Sequence, residues 1–275
     1  MITILFPTDF SPVAGNALRF AYQMAEEMGA RLVLLHVYHP QALETDWQAH
    51  PVLRALEGER RAAALDHFQD YAEALQNHLG QRVPVALRIE IGFAVDGIVQ
   101  VCEALQPDLV VMGTTGAHNL AEDVFGSTTS SVMQQLTCPV LAVPQAVDYQ
   151  RIRRIAFATD FREPDTRQAA RLAGLARLLR AEVLRVHVVP QDMQPHAVAE
   201  LAEGHEADWS YGAAPLHVLH GDRVAEALEA FAQAQQIDLL ALIPHKRSFW
   251  EQWWHPSLTR RMLLHAHTPI LAVKP

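Results

Sequence analysis

Cysteine is scarce in this chain of 275 residues: it contains only Cys102 and Cys138. Two isolated cysteines are typical of small buried apolar side chains, not of a disulfide or a zinc framework. Apolar runs of membrane-spanning length are also missing. Met1 leads straight into a strand-like run, without the charged and then apolar leader of a secreted protein. We therefore expect a soluble, cytoplasmic protein with no membrane partner.

Lysine is absent from residues 1–146. That half carries seven arginines against sixteen acidic residues, a net charge of −9, whereas residues 147–275 carry fifteen charges of each sign. Nucleic-acid binding normally depends on clustered lysine and arginine, which displace counterions from the phosphate backbone. The charge balance therefore argues against DNA or RNA as a partner.

Several catalytic motifs are missing as well. The chain has neither the Gly-x4-Gly-Lys-Ser/Thr loop of many nucleoside triphosphatases nor the Ser-Gly-Gly-x-Asp-Ser loop of pyrophosphate-releasing ligases. Its fifteen histidines form no recognised zinc spacing. Glu122 and Asp123 could hold a metal ion, but a polar loop face explains them better, so we predict no metal site formed by protein side chains alone.

Short apolar runs alternate with amphipathic stretches along the whole chain, the pattern of a parallel sheet covered by helices. The predicted elements of the first half are strands at 2–7, 31–37, 83–90, 108–112 and 139–143 and helices at 12–29, 51–79, 94–105 and 127–136. In the second half, strands are predicted near 152–158, 182–188, 215–220, 238–243 and 269–273. The fold class is α/β, with two tandem doubly wound, mostly parallel five-stranded sheets that carry helices on both faces.

An internal repeat supports the division into two halves. Residues 8–10, Thr-Asp-Phe, return as residues 159–161 at an offset of 151, and the apolar strand at 139–143 returns at an offset of 130. The second copy is therefore 21 residues shorter. We predict one domain over 1–146 and a shorter one over 147–275.

Three glycines follow the predicted strand at 108–112 and precede a helix that begins with hydroxyl side chains: Gly113, Gly116 and Gly126. Glycine lets backbone approach a ligand closely, and the first N–H groups of a helix have no partner within it. Such a loop suits a phosphate group. Ordinary turns and a helix cap are the alternative explanation.

The spacing Gly-x2-Gly-x9-Gly-Ser/Thr resembles the ATP-binding signature of the universal stress protein family. Residues 2–11, 31–37, 107–113 and 138–144 resemble the first, second, fourth and fifth strands of that family, so the resemblance covers residues 1–145. It implies a Rossmann-like fold, similar to that of the adenine nucleotide alpha hydrolases. The implied ligand is an adenine nucleotide, ATP, ADP or AMP, together with Mg2+.

Carried over to this chain, the resemblance implies a set of nucleotide-binding residues. They are Pro7, Thr8, Asp9, Val37, Met112, Gly113, Thr114, Gly116, His118, Gly126, Ser127, Thr128 and Thr129. The glycines and the hydroxyl-led helix start would line the phosphates, Asp9 would accept from adenine or ribose, and Val37 and Met112 would pack on base and sugar. Asp9 could also cap the first helix, a role that Ser11 can share, and His118 could be a solvated loop histidine.

The second half lacks every glycine of this motif. Alignment puts Pro244, His245 and Lys246 in place of the first glycines and Pro256 in place of Gly126. Proline has no N–H to offer a phosphate. The aromatic stretch 249–255 could fill the vacated pocket, which we favour, or form a surface for a partner or small ligand. We predict one nucleotide per chain.

The residues favour a binding and signalling module over an enzyme. Phosphoryl transfer needs positioned cations and a group that orients the nucleophile, and here only Mg2+ with His118 or Asp9 could serve. One alternative is a slow Mg-dependent ATPase using the same site. Another is a nucleotide-free interaction protein whose ligand lies in the second half. The sequence does not identify a protein partner.

The repeat also predicts how the two halves meet. Strands 140–143 and 270–273 are apolar and would otherwise be exposed edges. Universal stress proteins commonly dimerise through their last strands. The resemblance therefore implies that these two strands pair antiparallel within one chain as an intrachain pseudo-dimer, while a homodimer of whole chains stays open.

Overall fold

A computed structural model describes the protein over residues 1–39, 51–114, 127–159, 166–194, 196–197, 200, 214–242 and 268–274. Three segments that the motif comparison depends on lie outside these residues: 115–126, 160–165 and 243–267. The carboxyl ends of the first and fourth strands are described, as is the junction between the halves.

Strands and helices alternate through the first half. The strands are β1 (Thr3–Pro7), β2 (Arg31–Tyr38), β3 (Val85–Ile91), β4 (Leu109–Gly113) and β5 (Val140–Val143). The helices are α1 (Pro12–Met28), α2 (Pro51–Leu79), α3 (Ala94–Leu105) and α4 (Ser127–Gln135). All nine predicted elements are confirmed within two residues at each end. Apolar runs bounded by glycine, proline or charged residues mark buried strands clearly.

The second half repeats this pattern. Its described strands are β6 (Arg154–Ala158), β7 (Glu182–Val189), β8 (Leu216–His220), β9 (Leu239–Leu242) and β10 (Ile270–Ala272). Its described helices include α5 (Thr166–Leu179) and α6 (Val224–Ala234). The five predicted strands are again confirmed within two residues.

The two halves form one continuous ten-stranded sheet, ordered β3-β2-β1-β4-β5-β10-β9-β6-β7-β8. Each half thus runs third, second, first, fourth, fifth, and pairs within a half are parallel. β5 and β10 pair antiparallel, with Leu141 opposite Leu271. The predicted intrachain pairing of the last strands is confirmed, and so is the α/β class with two doubly wound halves.

Alternating side chains of the central strands enter cores on opposite faces of the sheet. Ile4 and Phe6 join a core with α1, whereas Leu5 between them joins a core with α3 and α4. This alternation follows from the two-residue period of a strand. The core that contains α1 continues into the second half through Phe157 and α5. Helices therefore cover both faces, and one apolar layer spans both halves.

The start of α1 is fixed by capping. Ser11 precedes the helix, and its side chain accepts a hydrogen bond from the Ala14 N–H at 3.1 Å. Pro12 occupies the first turn, where its missing N–H has no consequence. Gly29 ends the helix with φ of 61°, a left-handed conformation that glycine adopts readily. The helix therefore begins at a defined residue beside the end of β1.

The segment between the halves is held against α1. The Asn16 side-chain amide donates to the carbonyls of Gln145 at 3.1 Å and Val147 at 2.8 Å. The ring of Tyr149 packs edge-on against Phe20 at 4.9 Å between centroids. These contacts fix the chain as it leaves β5.

Tyr149 also enters a polar cluster on α1. Its hydroxyl donates to Glu27, and the Arg151 Nε lies 2.9 Å from the same carboxylate. Burial, followed by the hydrogen bond to Glu27 and its negative charge, raises the pKa of Tyr149. The neutral hydroxyl is therefore the form that the folded protein stabilises.

We expect Tyr149→Phe to lower the free energy of unfolding by about 1 kcal/mol at neutral pH, because a hydrogen bond to a carboxylate is lost. The folded-state pKa lies above the ordinary value of 10.0. The stabilisation by the hydroxyl is therefore fully present below pH 10.0 and is lost as the pH rises from there towards the folded-state pKa. Urea unfolding of both proteins between neutral and strongly alkaline pH should show the difference narrowing at the alkaline end. A constant difference would contradict the assignment.

Within the described residues, none of the helices is long and apolar enough to cross a membrane. In the same part of the chain, no three histidine, cysteine or acidic side chains gather in an arrangement that could hold a metal ion. Cys102 and Cys138 are free thiols, the first fully and the second partly buried. The predicted burial is therefore confirmed for Cys102 and is only partial for Cys138.

Candidate functional site

The carboxyl ends of β1, β2 and β4 meet at one edge of the sheet, where the strand order reverses around β1. β1 lies between β2 and β4 and is parallel to both. The residues that follow β1 therefore lie next to those that follow β4. Open α/β sheets bind their ligands in the crevice at such a point. Thr8 and Gly113 face this crevice from neighbouring strand ends.

A hydrogen-bonded turn follows β1. The Thr8 N–H donates to the Leu35 carbonyl at 2.8 Å, which extends the pairing with β2 by one residue. The Thr8 hydroxyl oxygen accepts from the Phe10 N–H at 3.0 Å, and Phe10 has φ of 61°. A residue other than glycine seldom adopts this left-handed conformation. The turn is therefore held in a defined shape by its own contacts.

Asp9 lies at the exposed tip of this turn. Its Oδ1 accepts from the Ser11 N–H at 3.0 Å, while Ser11 itself caps α1. Of the two candidate caps, Ser11 is therefore the one that reaches a helix N–H group, while the exposed Asp9 side chain holds the Ser11 N–H.

An aromatic cluster lies against the turn, and the sequence did not predict it. The ring of Phe10 packs 4.6 Å from His36, 5.1 Å from Phe68 and 5.4 Å from Tyr71, measured between centroids. His36 Nδ1 lies 2.9 Å from the Thr8 carbonyl oxygen. The repetition of His36 as His187 was a usable signal. The contacts with α2 depend on tertiary packing, which no local pattern reveals.

Charges from two elements act on Tyr71 of α2. Burial raises its pKa, Arg19 lowers it, and Asp9 raises it. Arg19 and Asp9 are thus both close enough to act on the same hydroxyl. The Arg19 Nη2 also donates to Asn16 Oδ1 at 3.1 Å. Arg19, one of only seven arginines in the first half, and Asp9 therefore act on the pKa of Tyr71 in opposite directions.

Val37 and Met112 differ in how they are placed. Val37 is half-buried on β2 and packs against α3, where a Cβ added at Gly97 would lie 2.7 Å from Val37 Cγ1. Met112 on β4 is 5% exposed and belongs to the core under α3 and α4. Both side chains have structural contacts of their own, and contact of either with a base or sugar stays a prediction.

The two ends of the glycine loop are tied together. The Thr129 hydroxyl, in the first turn of α4, donates to the Gly113 carbonyl at 2.8 Å. The Thr114 N–H donates to the Val143 carbonyl at 3.1 Å, and Thr114 is buried. Thr128 is half-buried beside them. The hydroxyl-led start of α4 is thereby held directly at the end of β4.

The loop itself, residues 115–126, lies outside the described residues, and with it Gly116, His118 and Gly126. Ser127 begins α4, but its side chain is not described. The roles given to these residues, and the alternatives for His118, stay predictions.

The second half repeats the first contacts of the turn. The Thr159 N–H donates to the Val186 carbonyl at 3.0 Å, and His187 Nδ1 lies 2.7 Å from the Thr159 carbonyl oxygen. Asp160, the altered loop and its aromatic residues all lie outside the described part of the chain. The two halves therefore share the framework around the turn, and the predicted difference between them lies in the segments that follow it.

Comparison with known proteins is consistent with this repeat. The model of the universal stress protein family matches the chain twice, over residues 1–144 and 151–274. A universal stress protein of Synechocystis is 32% identical over 142 residues, which is 52% of this chain and 85% of that protein. One from Methanocaldococcus jannaschii is 30% identical over 145 residues, or 51% of this chain and 80% of that protein.

A solved structure shares the fold over nearly the whole chain. The crystal structure of a universal stress protein from Archaeoglobus fulgidus superposes with a TM-score of 0.71, covering 99% of this chain and 98% of the other. Its sequence identity is 16%, so the likeness concerns the fold alone. That structure therefore shares the fold of both halves.

Proposed function

The chain belongs to the universal stress protein family, and on that premise we propose that its first half, residues 1–146, binds one adenine nucleotide with Mg2+. Nucleotide occupancy would then alter the conformation or association of the protein, which acts as a stress-response binding and signalling module. The observation that carries this proposal is the hydrogen bond from Thr129 to the Gly113 carbonyl. It brings a helix start to a strand end beside the Thr8 turn.

The phosphates would lie at the start of α4. The first N–H groups of a helix lack internal partners and carry the positive end of its dipole. Thr129 holds this helix start next to Gly113, so an anion there would meet N–H groups from both helix and loop. Gly116 and Gly126, which complete the Gly-x2-Gly-x9-Gly spacing, would let the backbone follow the phosphate chain.

The base and ribose would lie on the β1 side of the crevice. Asp9 offers an exposed carboxylate, which can accept from ribose hydroxyls or the adenine amino group. The turn that carries it is fixed by Thr8 and by the packing of Phe10 on His36. Because this turn is already ordered, binding there would cost little conformational entropy.

The net charge of −9 in residues 1–146 opposes a polyphosphate at long range. Mg2+ bound to the phosphates would offset this field, because it would neutralise part of their charge. Mg2+ would therefore arrive with the nucleotide, not as a resident ion.

The test is to identify the nucleotide that remains with the purified full-length protein, by acid extraction and mass spectrometry. We expect ATP, ADP or AMP in substoichiometric to equimolar amount, and ATP affinity that depends on Mg2+. Protein that neither carries nor binds an adenine nucleotide would contradict the proposal. Phosphate release that scales with protein and disappears in Gly113→Val would instead make the protein a slow ATPase.

We expect Asp9→Asn to weaken ATP binding about tenfold while leaving the affinity for inorganic triphosphate nearly unchanged. The loss of one charge-assisted hydrogen bond corresponds to about that factor. Calorimetric titration with both ligands measures the two affinities. Ser11→Ala is the control, because it removes the α1 cap and leaves the carboxylate. Equal losses for ATP and triphosphate in Asp9→Asn would show that the carboxylate does not recognise the nucleoside.

The remaining parts of the proposal concern residues 147–275, the cellular location of the protein and its partners. This half would bind no adenine nucleotide, because Pro244 and Pro256 replace loop glycines. The protein would act in the cytoplasm with a protein partner still to be identified, and whole chains could pair further as a homodimer.

A further inference from the structure

A cavity of about 470 Å³ lies at the opposite edge of the sheet from the candidate nucleotide site. It opens where β4 begins, at Asp108 and Leu109, and where the chain enters β5, at Cys138 and Pro139. Its size falls within the range of small-molecule sites, roughly 300–1,000 Å³. Nothing in the proposed nucleotide site accounts for it.

Both halves of the chain form the walls. α3, β4 and the end of α4 come from the first half, whereas α5 and β10 come from the second. α5 lines the cavity with Arg171, Gly174, Leu175 and Leu178, which share one face at helical spacing. Leu178 is 43% exposed at the rim, one of few large apolar side chains so exposed in the described residues. The two leucines of this α5 face are therefore only partly covered by the rest of the protein.

The interior of the cavity is neutral. Leu136, Leu271 and Val273 contribute apolar surface, and the two free thiols of the chain line the wall. Cys138 Sγ donates to the Pro107 carbonyl at 3.1 Å. Burial raises the pKa of both thiols to about 12, so they are uncharged near neutral pH. The wall thus offers dispersion contacts and weakly polar sulfur, but no buried charge.

The rim of the cavity carries charges of both signs, Arg171 together with Asp108 and Glu103. Arg171 Nη1 donates to the Thr137 carbonyl at 2.8 Å and to the Lys274 carbonyl at 3.4 Å. Asp108 Oδ2 accepts from the Thr3 N–H at 2.8 Å. Glu103 is exposed to solvent. One cation thus faces two carboxylates, and both Arg171 and Asp108 already have backbone partners.

We propose that this inter-half cavity binds an uncharged, predominantly apolar small molecule, such as a medium-length alkyl chain that ends in a hydroxyl group. The apolar part would lie between α5 and β10, with the hydroxyl at the polar rim near Arg171. Because the ligand touches both halves, it stabilises the arrangement in which they are joined. A ligand that binds only the folded protein raises its unfolding temperature with ligand concentration.

The experiment titrates the full-length protein with 1-decanol by calorimetry, with and without saturating ATP and Mg2+. We expect one saturable site per chain in both conditions. 1-Octanol should bind about tenfold more weakly, since two methylene groups fewer are buried. Decanoate and decyltrimethylammonium should both bind more weakly than decanol. A preference for either ion would overturn the ligand class, and the absence of saturable binding would overturn the site.

Gly174→Leu tests the location. A Cβ at Gly174 meets nothing within 4 Å, so the new side chain can occupy the cavity without displacing backbone. We expect decanol binding to fall at least about tenfold while ATP binding is unchanged. Gly58→Leu is the matched control, because Gly58 is also helical, exposed and unobstructed but lies on α2, away from the cavity. Equal decanol affinity in both variants would overturn the proposed site.

Cys138 gives a readout that does not depend on affinity. Its partly buried thiol lines the cavity, so bound decanol should slow its alkylation by N-ethylmaleimide, as followed by mass spectrometry of the labelled peptide. The protection should be lost in Gly174→Leu at the same decanol concentration. Unchanged labelling of the wild-type protein at saturating decanol would contradict the proposal.

Discussion

Gly126→Val is expected to reduce ATP affinity by at least about a hundredfold while the fold remains intact. In the proposed site the backbone at this position meets a phosphate, and a β-branched side chain would occupy the space that the ligand needs. A hundredfold loss corresponds to about 2.7 kcal/mol, the scale of several lost backbone contacts. Calorimetric titration with ATP and Mg2+ measures the affinity, and urea unfolding checks the fold.

Gly58→Val serves as the control for this substitution. Gly58 lies on the exposed side of α2, and a Cβ there meets nothing within 4 Å. We expect its ATP affinity to equal that of the wild-type protein. If Gly126→Val also binds like the wild type, the glycine loop does not contact the nucleotide and the loop is an ordinary connection.

Leu271→Asp should have the largest effect on stability, lowering the free energy of unfolding by about 4 kcal/mol. Leu271 is 1% exposed and lies opposite Leu141 in the antiparallel pair that joins the halves. A carboxylate there has no partner in an apolar layer that spans both halves. Urea unfolding should therefore show a lower midpoint, and the unfolding should lose cooperativity between the halves.

The matched control is Leu178→Asp, which introduces the same group at a leucine that is 43% exposed. Its effect should stay below about 0.5 kcal/mol, as for most surface substitutions. If both variants lost similar free energies of unfolding, the β5–β10 strand pair would make no particular contribution to joining the halves.

The sequence predicts the fold well because its central strands are buried on both faces. A stretch such as β4 is uniformly apolar and is bounded by Asp108 and by glycine, so its limits are visible without tertiary information. The internal repeat predicts the pairing of β5 with β10, since two apolar last strands need a common partner. Local pattern and repeat together therefore determine the architecture.

The candidate site was only partly predictable from sequence. Motif spacing identifies Gly113 and the start of α4, and the structure connects them through Thr129. The sequence offers both Asp9 and Ser11 as caps of α1 without choosing between them, and it does not reveal that Phe68 and Tyr71 of α2 pack on Phe10. These contacts join residues that are either equivalent in type or distant in sequence, so no local preference selects them.

The junction between the halves shows the same limit. The contacts of Tyr149 with Glu27 and the cavity under α5 arise where two separately predictable units meet. Their geometry depends on how the units pack, which periodicity and motifs do not encode.

The central claim is that residues 1–146 hold the nucleotide and residues 147–275 do not. Titration of nucleotide-free full-length protein with ATP and Mg2+ tests it most directly. The account predicts one ATP per chain in the wild-type protein, with an affinity at least about a hundredfold lower in Gly126→Val. Two equivalent sites in the wild type, or one site retained in Gly126→Val, would contradict it and place a nucleotide in the second half.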